Sequence, residues 1–138
     1  MHDNLNYGSR LTDDEYERRI VEVHRGLPSM PTADQDRQIR RQELDLAIDH
    51  RLGRDFPRDR REALWAAKER VEKRRLRLGV KFLFKKLFAK SIAREAQGLA
   101  DYMVDEYAKV LNAAELERFF GLKGQRAVLP IDRDQLMK

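Results

Sequence analysis

Cysteine is missing altogether from these 138 residues, and with it go disulfides, thiolate metal sites and cysteine nucleophiles. That absence fits a reducing compartment. Long apolar runs are missing as well: no stretch approaches the roughly 20 residues needed to span a bilayer, and the first residues are polar and acidic rather than basic and then apolar. The expectation is a soluble, cytoplasmic chain.

The signatures of chemistry are equally scarce. No GxxxxGK[ST] or GxGxxG element is present to cradle a phosphate, and Ser9, Ser29 and Ser91 have no glycine elbow around them. The paired carboxylates Asp13/Asp14 and Asp105/Glu106 fall where helix caps and solvated faces account for them. His2 lies near the start of the chain, and His24 and His50 each lie near a predicted helix C-terminus, where the helix dipole favours a protonated imidazole. A metal site pairing two histidines with Asp45 or Asp49 has no HExxH or comparable spacing behind it. The expectation is a protein that is not an enzyme and carries no cofactor, metal or catalytic residue.

Acidic charge is lacking in one place above all. Arg51 to Arg94 holds 16 of the 29 lysines and arginines but only 5 of the 24 acidic residues, a local charge of +11. The segments before and after it carry −4 and −2, so the overall +5 hides a strong polarity. Cations at this density repel one another unless an anion lies against them, whether nucleic acid, lipid headgroups or the chain's own acidic segments.

What remains reads as helix. Charged residues make up 38% and apolar residues 41% of the chain, which suits helices with solvated outer faces around one core, and a chain of this length supports a single domain. Thr12 with Glu15, Thr32 with Gln35 and Asn112 with Glu115 have the spacing of capping boxes and open three helices. Gly26 and Pro28 end the first, Gly53 the second and Gly121 the last. A third helix follows Phe56 and Pro57 and is predicted to stop at Gly79; a fourth covers Val80 to about Leu111, with Gly98 a possible kink. The fourth helix has two apolar stripes, one through Val80, Leu83, Phe84, Leu87 and Phe88 and one through Ile92, Ala96, Leu99, Met103, Tyr107 and Val110, displaced by roughly 150° on the helical wheel. The predicted fold is all-α: a small bundle of about five helices over residues 1–138, with residues 1–11 flexible and 122–138 an extended arm.

For function, the basic face is the strongest signal. Arg70, Lys73, Arg74, Arg77, Lys81 and Lys85 recur at helical spacing and can follow a phosphate backbone, which points to a nucleic-acid-binding protein, DNA or RNA, making mainly phosphate contacts. Arg58, Arg60 and Arg61 are lesser candidates at the start of the third helix, where a helix-turn-helix protein places base-reading side chains. The alternative is a self-associating protein–protein adaptor, a homodimer or other homo-oligomer, anchored by Phe82, Phe88, Met103 and Tyr107. The stretch VKFLFKKLFAKSI also resembles a membrane-surface helix, but a helix in a bundle has the same pattern, so a membrane is set last among the partners.

Overall fold

A computed structural model describes residues 6–121, the side chain of Phe88 excepted, and five helices run through them: α1 (Asp13–Arg25), α2 (Ala33–Arg51), α3 (Arg58–Phe82), α4 (Lys85–Ala108) and α5 (Ala113–Phe120). The architecture is a small all-α bundle. The arm expected over 122–138 lies outside the described residues.

Local chemistry sets most of the boundaries. Thr32 accepts from the Gln35 N–H while the Gln35 side chain accepts from the Thr32 N–H, and Asn112 and Glu115 make the same reciprocal pair, so orphan donors at two helix starts are satisfied. Thr12 accepts from Glu15 N–H at 3.1 Å, a one-sided cap. At the other end of α5, Gly121 adopts φ 71°, the left-handed conformation that glycine reaches without steric cost.

Gly79 does not stop the third helix. α3 continues through it to Phe82, and the chain turns at Leu83 and Phe84, neither of which carries a capping side chain. A helical glycine costs about 1 kcal/mol relative to alanine, which a 25-residue helix packed along its length absorbs. α4 likewise passes unbroken through Gly98. The two stripes expected on one helix are separated by the turn and by burial: Ile92, Ala96, Leu99 and Tyr107 of α4 are buried, while Leu83 and Phe84 of the turn and Leu87 of α4 are exposed.

The core is built from one face each of α2, α3 and α4 and closed by α5. Leu44, Ala47 and Ile48 of α2 meet Leu64, Trp65, Ala67, Val71 and Leu78 of α3, with Ile92, Ala96, Leu99 and Tyr107 of α4 and Phe119 of α5 completing the cluster. Ile48, Leu52, Leu64, Ile92 and Leu111 are wholly buried, each contributing roughly 1.5–3 kcal/mol of transfer free energy. Trp65 also lies inside the cluster.

α1 contributes no buried residue and is held to α2 by polar and ring contacts. Tyr16 stacks on His50 with centroids 4.5 Å apart, His50 Nε2 meets Asp13 Oδ1 at 2.6 Å, and His24 Nε2 meets Glu43 at 3.0 Å. Both histidines lie in the last turns of their helices, as expected, and in addition bridge α1 and α2. The segment before α1, expected to be flexible to residue 11, is pinned over residues 7–11. Leu11 N–H donates to Asp49 O at 3.0 Å, and Tyr7 and Ser9 carbonyls accept from Asp55 and Arg54. Gly53 sits directly against this strap at φ 143°, where a Cβ would collide with the Tyr7 carbonyl.

Candidate nucleic-acid interface

The basic surface begins where α3 and α4 pack antiparallel. Arg70 reaches Glu106 at 3.0 Å, Arg74 stacks over the Tyr102 ring at 4.3 Å, and Lys81 meets Glu95 at 2.5 Å. Residues 70 with 106, 74 with 102 and 81 with 95 all fall on one antiparallel register, so these contacts form a ladder along the seam. The Arg70 guanidinium holds the Glu106 carboxyl below its usual range, against a smaller opposing effect of burial. The carboxylates of α3 itself face the other way. Glu62, Glu69 and Glu72 take Arg41, Arg37 and Arg40 of α2, which ties the front of that helix to α3. Three carboxylates of α3 are thus engaged by α2, and of these only Glu72 also reaches an arginine of its own helix, Arg75.

At the start of α3 the cations are consumed as well. Arg60 donates to both oxygens of Glu115, at 2.5 and 3.0 Å, and to the Val110 carbonyl at 2.7 Å, while Tyr7 O–H donates to the same carboxylate. Glu115 is 0% exposed. Burial alone pushes its carboxyl upward, but the hydrogen bonds from Arg60, Tyr7 and the Asn112 N–H outweigh it and the net shift is downward. The Tyr7 hydroxyl is pushed up, first by burial and then by its bond to Glu115. Arg61, with a side chain only 12% exposed, donates to Asp49 at 2.7 Å and to the carbonyls of Phe56, Gly53 and Arg54. Arg60 and Arg61 therefore fasten the bundle, and the base-reading geometry expected of them at the head of α3 is not available. Arg58, in the same turn, is exposed beside Glu62.

Beyond the Lys81–Glu95 rung the ladder runs out. From Lys73 to Arg94 the chain has nine lysines and arginines and no aspartate or glutamate at all. Lys81 borrows Glu95 and Arg75 borrows Glu72, both from just outside the stretch, the latter at 3.7 Å. Lys73, Arg77, Lys85, Lys86, Lys90 and Arg94 are exposed and have no ion-pair partner among the described residues. A cleft at the seam is lined by Arg74, Arg77, Lys81 and Glu95 over Leu78 and Leu99. The free cations thus gather at the outer half of the α3–α4 hairpin, the end remote from α5. Lys86, Lys90 and Arg94 belong with the expected set. The signal for them in the sequence is the unbroken absence of acid across the run.

The side chains expected to anchor a protein partner divide. Tyr107 is buried and stacks on Phe120 with centroids 4.5 Å apart, and burial pushes its hydroxyl up to about 12. Met103 is half-buried against the same core. Both are spent on internal packing. Phe82 is exposed at the end of α3, and the side chain of Phe88 lies outside the described residues.

Among the described residues no group of three or more His, Asp or Glu side chains is placed to hold a metal ion. No described helix is long and apolar enough to cross a membrane. No protein family, curated protein or solved structure matches this chain, so its own residues and their geometry are what point to a function.

Proposed function

We propose that this protein is a non-enzymatic nucleic-acid-binding protein whose contact surface is the outer half of the α3–α4 hairpin. Lys73, Arg77 and Lys85 bind phosphates directly, joined by Lys86, Lys90 and Arg94, with Arg74 and Lys81 at the rim of the seam. Arg70 contributes little because Glu106 already neutralises it. The supporting observation is uneven pairing: Arg60, Arg61 and Arg70 nearer the base of the hairpin have carboxylates, whereas of the nine lysines and arginines from Lys73 to Arg94 only Arg75 and Lys81 form an ion pair among the described residues.

Unpaired cations repel one another in the free protein and are relieved by a polyanion, whose condensed counterions are released on binding. Among the described residues no side chain is arrayed to read base edges, so sequence discrimination is expected to be weak. Fluorescence anisotropy with labelled duplex DNA and single-stranded RNA across a salt series tests the proposal. Affinity is expected to fall by orders of magnitude between low and moderate ionic strength. Failure to bind either probe at low salt would exclude it.

A further inference from the structure

Cations alone do not describe the end of the hairpin. Leu83 is 79% and Leu87 81% exposed at the turn, and Leu76, Val80, Phe82 and Phe84 join them in the open. Leu76, Val80 and Leu83 follow one another at spacings of four and three, so they line one side of α3 up to the turn, where Phe84 and Leu87 extend the patch onto α4. This is the apolar stripe that the fold leaves out of its core. Large aliphatic side chains gathered at one point mark a surface that meets another apolar phase.

Lys81, Lys85, Lys86 and Lys90 flank the patch, and Lys73 and Arg77 border it lower on α3. We infer that this tip docks on an anionic lipid bilayer: its aliphatic side chains enter the headgroup and acyl boundary while the surrounding lysines and arginines meet lipid phosphates and carboxylates. The inference goes beyond the nucleic-acid reading and does not rest on it.

Charge and chemistry select this occupant over two others. A second copy packed tip to tip would bring two acid-free cationic segments together, with nothing on either to compensate. A nucleic acid satisfies the lysines but offers no hydrocarbon to Leu83 or Leu87. An anionic bilayer supplies both, as it does for amphipathic interfacial helices with apolar and lysine-rich faces. Each cation near such a surface raises affinity about fivefold, and each leucine withdrawn into the boundary about tenfold or more. Because no described helix can span the membrane, docking is peripheral.

The test is co-sedimentation of the full chain with phosphatidylcholine vesicles, with and without phosphatidylserine, alongside the double variant Leu83→Ser/Leu87→Ser. Both substitutions are at exposed positions and keep every cation, so fold and charge are retained, which far-UV circular dichroism verifies. A third variant, Phe84→Trp, places an indole at the tip. The wild type is expected to bind the phosphatidylserine vesicles and not phosphatidylcholine alone. The double variant is expected to bind at least tenfold more weakly, and the new indole to shift its emission to the blue on binding.

Absence of vesicle binding by the wild type overturns the inference. So does equal binding by the double variant, which would mean that the cations act without the tip. A wild-type dimer in sedimentation that the double variant turns into a monomer also overturns it, by assigning the patch to a second copy. Binding of the double variant to duplex DNA separates the two proposals. It is expected to equal that of the wild type whether or not the bilayer inference holds, because the phosphate-binding cations are intact.

Discussion

Replacing Glu115 by alanine tests how the basic block is divided between fastening and docking. The carboxylate joins three parts of the chain: Arg60 at the head of α3, Tyr7 in the N-terminal strap, and its own cap at Asn112. Its loss leaves the Arg60 guanidinium with the Val110 carbonyl and the Tyr7 hydroxyl, and breaking a buried ion pair from one side costs about 3–5 kcal/mol. The Arg60 side chain is 28% exposed and recovers some hydration, so the low end applies, about 3 kcal/mol. For a chain of this length that corresponds to a fall in melting temperature of about 10 °C.

The contribution has a pH signature. The folded carboxyl titrates below its unfolded value of about 4.3, so the unfolded chain takes up the proton first and acid favours unfolding. Stabilisation by Glu115 is therefore complete above the unfolded value and is lost as pH falls through the folded one. Urea denaturation of wild type and Glu115→Ala from neutral pH down to acid should show a constant gap that narrows below about pH 4.3. A gap smaller than about 1 kcal/mol at neutral pH, or one that does not narrow in acid, would refute this assignment of Arg60 and Glu115.

Three further outcomes follow from the same structure. Ile48→Ala, at a wholly buried position on α2, should cost about 2–5 kcal/mol in urea unfolding, whereas Val21→Ala on the exposed side of α1 should cost under about 0.5 kcal/mol. Gly53→Ala forces a Cβ into the Tyr7 carbonyl at a backbone angle that L residues rarely adopt, so a loss of about 2 kcal/mol and faster hydrogen exchange at the Asp55 amide are expected. Arg61→Gln should lower stability while leaving nucleic-acid affinity within about twofold, because its donors are already engaged by the Asp45 and Asp49 carboxylates and four backbone carbonyls.

What the sequence disclosed was whatever is local. The reciprocal caps at Thr32/Gln35 and Asn112/Glu115 depend on side chains three residues apart, and Gly121 on one backbone conformation, so each was legible without a fold. The turn at Leu83 and Phe84 was not: it has no glycine, proline or capping side chain, whereas Gly79 looks like a stop yet sits inside α3. The all-helical class survived this error because the periodicity on either side of the turn is helical in both readings.

Within the basic block the limit is different. Arg58, Arg60 and Arg61 share one helical turn, but steps of about 100° per residue send them to different neighbours, and only packing decides which meets Glu115, which meets Asp49 and which stays in solvent. The inward placement of Tyr107 and the half-burial of Met103 are likewise decided by packing. Their stripe on α4 is the one the core uses, and the stripe left exposed is that of Leu83 and Leu87.

The most direct test of the central claim, that the unpaired cations of the outer hairpin are the docking surface, is the salt dependence of duplex DNA binding by wild type and by Lys73→Gln/Arg77→Gln/Lys85→Gln. Each phosphate contact removed flattens the plot of log affinity against log salt concentration by about 0.9, so the expected slope of the triple variant is shallower by up to about 3. Identical slopes for the two proteins would contradict the claim.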